Sequence, residues 1–194
     1  MTLSAPYPVL ARFQDMHKVV LGLADSLDDD QLRWRPEGYS TSIGFHLWHL
    51  ARESDYLKAA LIQHFPQLGP DFGEATELWQ GEALGTRWGF PADLGPTAVG
   101  TGLSDEVAAG LPIPPKAELL DYLGRSYAAI EAYVALLDSR YPSAEAASDE
   151  LRPVVDRIRR NLLVFLLHDA RHLGMMEVLK GLQTGFGSAT EKRA

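Results

Sequence analysis

Four stretches of the chain repeat apolar residues at intervals of three and four, and no stretch alternates apolar with polar residues. This pattern restricts the fold to helices that each bury one face, because a half-buried strand needs an interval of two. The first stretch, about 7–27, sets Leu10, Phe13, Val20, Ala24 and Leu27 on one face and stops at the acidic turn Asp28, Asp29, Asp30. The second opens at Ser40, Thr41 and Ser42, whose hydroxyls can satisfy free amides at a helix N-terminus. It carries Ile43, Leu47, Leu50, Leu57 and Leu61 inward to about Phe65, where Pro66 prevents it from continuing. The third opens at Pro115, suited to a first helical position, holds Leu119, Leu120, Leu123, Ile130, Val134 and Leu137, and ends near Pro142. The fourth opens near Pro153 and runs to about Gln183, with Gly185 and Gly187 beyond it.

Between the second and third stretches lies a segment, 67–114, interrupted repeatedly by glycine and proline from Gly69 and Pro70 to Gly102 and Gly110. It is too long for a hairpin and reads as a crossover, with short helices expected around 74–79 and 105–109; loops of this length often cover a site. No internal repeat or low-complexity tract competes with this reading. The expected fold is therefore all-α: a four-helix bundle with a long crossover between helices two and three. At 194 residues the chain suits one domain over 1–184, followed by a disordered tail over 185–194.

Composition removes several classes of chemistry. The chain has no cysteine, which excludes disulfides, thiolate metal sites, iron–sulfur clusters and a cysteine nucleophile, so thiol chemistry requires a thiol from outside. A net charge of -8 and an isoelectric point near 5.2 oppose nucleic-acid binding, and Arg157, Arg159 and Arg160 read as one solvated helix face. The N-terminal MTLSAPYPVLARF has no basic region ahead of an apolar core, and no apolar run reaches the roughly 18 residues of a membrane span. A soluble, cytoplasmic protein with no membrane or nucleic-acid partner is expected.

The fourth stretch, NLLVFLLHDARHLGMMEVL, carries His168 and His172. Four residues make about one helical turn, so both imidazoles leave the same side and can point at one atom. At about 100° per residue, Val164, Phe165, Met175, Met176, Leu179 and Leu182 gather around one direction, with the two histidines near its centre. A buried imidazole needs a hydrogen-bond partner or a metal, and the pair alone does not distinguish ligands from satisfied core histidines. The second stretch adds His46 and His49 in SIGFHLWHLARESDYL, both toward its apolar face, and spacing does not choose between them. Glu53, four after His49, reads as a further ligand, an acceptor orienting an imidazole, or an ion-pair partner of Arg52 or Lys58. His17 lies near the face of Phe13 and Val20 as a core or boundary residue with a lesser claim on the site, and His64 reads as surface.

Competing motifs fail on inspection. A zincin needs H-E-x-x-H, but the chain has His168, Asp169, Ala170, Arg171, His172. Di-iron bundles need Glu-x-x-His on two helices, and the residues three before the six histidines are Gln14, Ile43, His46, Leu61, Phe165 and Asp169. A Gly-x-Ser-x-Gly elbow and a phosphate-binding Walker loop are also missing.

The strings SIGFHLWHLARESDYL, with LRWRP upstream, and LLHDARHLGMMEVLKGL near the C-terminus resemble the two signature helices of the DinB-like superfamily, and ELW, RWGFP and GLSDEVAAG are similar to the connecting region of its longer members. The resemblance implies a four-helix bundle holding one divalent metal ion through three histidines. Carried over by position, these are His49, His168 and His172. It further implies a thiol S-transferase, since bacillithiol S-transferases and a mycothiol-dependent maleylpyruvate isomerase belong to the family, with a metal-dependent hydrolase as the alternative. Homodimers are common among its members.

Three neutral imidazoles leave a divalent ion its charge and at least one open position, as in a catalytic site. The ion's field favours thiolate over thiol and equally acidifies water, so the ligands alone do not decide between transfer and hydrolysis. The expected partners are a small-molecule thiol and an electrophile, with Arg171 as a candidate for binding a thiol's carboxylate or, alternatively, a helix-edge ion pair. Tyr56 and Trp79 are candidates for the mouth of the site. Imidazole suits several transition metals; zinc or nickel is expected. A non-catalytic bundle with core histidines or a structural metal is the remaining reading.

Overall fold

The computed structural model describes residues 9–37 and 41–185. Tyr7, Ser40 and the expected tail beyond Gly185 lie outside the described residues. Among the described residues eight α-helices follow one another: α1 (Leu10–Asp25), α2 (Asp29–Arg33), α3 (Ile43–His64), α4 (Leu78–Gly81), α5 (Leu84–Arg87), α6 (Asp105–Ala109), α7 (Lys116–Arg140) and α8 (Arg152–Thr184). No strand occurs among the described residues. The four long helices are the four expected from apolar spacing, and they form an all-α bundle in which α1 and α3 each pack against both α7 and α8. Of the described residues, no helix is long and apolar enough to cross a membrane.

The helix boundaries follow local chemistry. Ser42 caps α3 by accepting from the Phe45 amide at 3.1 Å, and Pro66 follows its end. Pro153 sits in the first turn of α8, and Gly185 closes that helix in the left-handed region at φ 77°. The acidic turn after α1 does more than stop it: Asp28 forms a reciprocal capping box with Gln31 that starts α2. The first short helix expected in the long segment begins at Leu78 rather than near residue 74, because its cap comes from α3. Asp55 Oδ1 and Oδ2 accept from the Leu78 and Trp79 amides, each at 2.9 Å, a signal 23 residues away in sequence.

Two sequence expectations about faces change. Arg159 is fully buried rather than solvated beside Arg157 and Arg160: its guanidinium donates to Asp138 Oδ1 at 2.6 Å and to the Tyr141 carbonyl at 2.7 Å. Asp138 Oδ2 meanwhile accepts from the Val9 and Leu10 amides, both at 2.8 Å, so one carboxylate on α7 caps α1 and pairs with α8. On α8, Val164 and Leu182 are each 62% exposed, and Leu167, Met175 and Val178 are exposed too. The buried seam runs instead through Val155, Leu162, Asp169 and Met176, seven residues apart. This helix is apolar on most sides, so its period alone names no unique face; contact with α1 and α3 selects the seam and leaves His168 and His172 at its flank.

The long segment returns to α3 at 98–100. Ala98 has a left-handed φ of 53°, and Gly100, at φ 93°, brings its backbone against Trp48 and Phe45. A Cβ on Gly100 would stand 2.7 Å from the Trp48 ring, so glycine is required there for both conformation and space.

Two outcomes follow from these contacts. Asp138→Ala takes the carboxylate from a buried guanidinium and the cap from α1, and is expected to cost about 3–5 kcal/mol, read as a lower urea midpoint. Gly100→Ala is expected to cost about 1–3 kcal/mol through backbone strain and displacement of Trp48, with near-ultraviolet circular dichroism reporting the altered indole environment.

Candidate metal centre

Helices α3 and α8 bring His49, His168 and His172 together, with one ring nitrogen from each within 4.8 Å of the others. His49 Nε2 and His168 Nε2 are 3.1 Å apart. Two nitrogens bound to one zinc ion at 2.0–2.1 Å in tetrahedral geometry would be separated by about 3.3 Å, so the spacing is that of two ligands sharing an ion.

The opposite side of each ring explains why those nitrogens are available. His49 Nδ1 donates to the Val99 carbonyl at 2.6 Å, which leaves Nε2 with its lone pair. His172 Nδ1 lies 2.9 Å from His46 Nδ1, and His46 Nε2 lies 3.0 Å from the Thr41 hydroxyl. A consistent assignment has His172 donating to His46 and His46 donating to Thr41, so His172 Nε2 is left as the free nitrogen. These outer bonds are the kind that orient metal-binding imidazoles. His46, which spacing could not separate from His49, is thereby a neighbour of the cluster that holds His172.

Burial keeps the His46, His49 and His172 rings uncharged. It pulls His46 and His49 down to about 4 and His172 down to about 2, and the neighbouring histidines add to the effect by disfavouring a second positive charge. At neutral pH His49 and His172 are therefore neutral imidazoles, the form that binds a cation.

The other sequence candidates take varied places. Glu53 Oε1 is 3.9 Å from His49 Nε2 and accepts from the Thr101 hydroxyl at 3.4 Å; burial raises its carboxyl above the usual range. Neither Arg52 nor Lys58 claims it as the expected ion-pair partner. Arg52 pairs with Glu77 at 2.8 Å, and Lys58 donates to the Glu74 and Thr76 carbonyls. Arg171 is exposed and lines an open cavity of about 630 Å³ together with Thr41, His46, Asp105, Met175 and Val178. Tyr56 and Trp79 do not line that cavity. Tyr56 is seven residues after His49, about two turns further along α3, and faces a separate cavity with His64 and Phe165. Trp79 is drawn into the core by Asp55 and lies under Arg52, whose guanidinium carbon is 4.8 Å from its ring centroid. His17 is buried on α1, outside the cluster, and gives its Nδ1 to Glu131 Oε1 at 2.6 Å. His64 is exposed at the end of α3.

Thr41, Val99 and Asp105 were not singled out from sequence. Thr41 appeared only as a possible cap, Val99 acts through a backbone carbonyl, and Asp105 reaches the cavity from the long segment, whose path carries no periodic signal.

No curated protein matches the chain. A family model of the DinB superfamily matches residues 12–176, which take in the histidine cluster and most of each long helix, so the chain belongs to the DinB superfamily.

Proposed function

We propose that this protein is a divalent-metal-dependent S-transferase that joins a small thiol to an electrophilic carbon. The observation that carries the reading is the convergence of three imidazoles beside a cavity with an apolar wall and an edge that carries Arg171 and Asp105. His49, His168 and His172 would hold the ion, zinc or nickel, through the nitrogens not engaged elsewhere. When bound, such an ion supplies a positive charge that favours an anionic nucleophile over its protonated form.

The chain's own residues supply the rest. Arg171 binds a carboxylate of the thiol, while Met175 and Val178 pack against apolar parts of the reactants. Glu53, held beside His49 by the Thr101 hydroxyl, takes the proton that the thiol gives up. The sulfur then forms a bond to the electrophilic carbon as the carbon–halogen bond of a reactive halide breaks, and the halide leaves with the electron pair. The absence of cysteine means that the sulfur comes from a free thiol such as bacillithiol.

Glu53 also favours a second reading, hydrolysis, because a carboxylate next to a metal centre can take a proton from water. Substrate tests separate the two.

Purified without chelators, the wild-type protein is expected to carry about one zinc or nickel ion per chain, measured by elemental analysis, and His49→Ala, His168→Ala and His172→Ala each to lose it. With bacillithiol and a reactive halide, the metal-loaded protein is expected to form thioether well above the His172→Ala rate. A rate no higher than that variant's overturns the transferase reading. Turnover of esters or amides without thiol, abolished by chelation, supports hydrolysis instead.

A further inference from the structure

Two buried ring nitrogens, His168 Nδ1 and His17 Nε2, have no hydrogen-bond partner among the described residues. Both face one carboxylate. His168 Nδ1 lies 3.5 Å from Asp169 Oδ1, and His17 Nε2 lies 3.9 Å from Asp169 Oδ2. Asp169 is only 3% exposed and occupies the seam of α8 that Val155, Leu162 and Met176 share at intervals of about two turns. A carboxylate at an apolar seam position is costly unless other groups compensate its charge.

The three histidines of the cluster differ in what stands behind them. His49 has the Val99 carbonyl and His172 has His46. For His168 to offer Nε2 to an ion, its proton must sit on Nδ1, and a buried N–H requires an acceptor. Asp169 Oδ1 is the group placed to accept it. The single-residue step from His168 to Asp169 turns about 100° around the helix, from the side facing α3 to the side facing α1. There His17 is clamped by Glu131 at 2.6 Å and stacked on Tyr127 with ring centroids 3.5 Å apart.

We propose that Asp169 is the outer support of the histidine cluster: it accepts the Nδ1 proton of His168 and fixes the tautomer and ring direction that leave His168 Nε2 free for a metal ion. Asp169 is a positioning residue, and its influence reaches the cluster through His168. This inference rests on the metal-binding reading above. It adds an outer layer, on the α1 side of α8, to a site whose ligands lie on α3 and α8.

Zinc titration against a chromogenic chelator tests it, with the fold of each apo variant checked by far-ultraviolet circular dichroism. Asp169→Ala is expected to weaken zinc binding about 10- to 100-fold. Asp169→Asn keeps an oxygen acceptor at the same place and is expected to recover most of the affinity. The visible spectrum of the cobalt-loaded protein is expected to change in Asp169→Ala, which a purely structural role would leave unaltered. Nitrogen-15 imidazole shifts of the zinc-loaded wild-type protein are expected to place the His168 proton on Nδ1, a readout independent of whether any variant folds.

Zinc binding by a folded Asp169→Ala equal to wild type overturns the inference while leaving the metal reading intact. An Asp169→Asn loss as large as that of Asp169→Ala overturns the acceptor role, as does a His168 proton found on Nε2. A wild-type protein that binds no zinc overturns the metal reading itself, and with it the support.

Discussion

Arg52 and Asp55, one turn apart on α3, fix the long segment to the bundle, and the geometry at the histidine cluster depends on that attachment. Both side chains are buried. Asp55 accepts from the Tyr122 hydroxyl at 2.9 Å and from the two amides that open α4. Arg52 donates to Glu77 at 2.8 Å, to the Tyr122 hydroxyl at 3.2 Å and, through Nε, to the Ala98 carbonyl at 3.1 Å. Burying a guanidinium and a carboxylate is costly, and only a network that uses most of their hydrogen-bonding capacity offsets it. What the network secures is position. The carbonyl after that of Ala98 belongs to Val99, the acceptor for His49, so the hold on Arg52 and the aim of His49 are set by adjacent peptide groups.

The same segment explains why the rings remain neutral. By covering α3 it removes water from His46 and His49, and desolvation is the largest influence holding their protonation down. Exposed imidazoles in the same places would repel one another once charged; buried ones avoid the charge and retain lone pairs. The cavity beside them is open and is lined by His46 and Arg171, so desolvated donors stand next to a space that admits a reactant. Ala98, an alanine at positive φ, is a local backbone strain of the kind found where surrounding contacts over-determine a conformation.

The sequence was legible where spacing and geometry coincide. Periods of three and four located the four long helices, Ser42 and Pro66 bounded α3, and a separation of four residues placed His168 and His172 on one side of α8. Where a decision depended on a distant partner, the sequence offered no local mark. Arg159 beside Arg157 and Arg160 looked solvated, yet Asp138 on α7 accounts for its burial. The start of α4 is set by Asp55 in the preceding helix, and the aim of His49 by a backbone carbonyl whose residue type is immaterial. Tyr56, a candidate for the mouth of the site, shares a face with His49, but a shared face says nothing about distance along the helix axis.

The misjudged face of α8 has the same origin and shows how the bundle organises its chemistry. With apolar residues on most sides, that helix could be rotated by a residue in a wheel diagram without any loss of apparent quality. The packing of α8 against both α1 and α3 removes the freedom and puts Asp169, not the histidines, at the seam. Adjacent residues then serve different neighbours, with His168 turned toward His49 on α3 and Asp169 toward His17 on α1. Proximity in sequence gives separation in direction, which lets one turn of helix carry both a donor ring and the group behind it. In the zincin pattern the residue after the first histidine is a glutamate that works on the substrate side. The shorter aspartate here lies on the buried side of its helix, so the departure from that motif at residue 169 marks a difference in direction as well as in side-chain length.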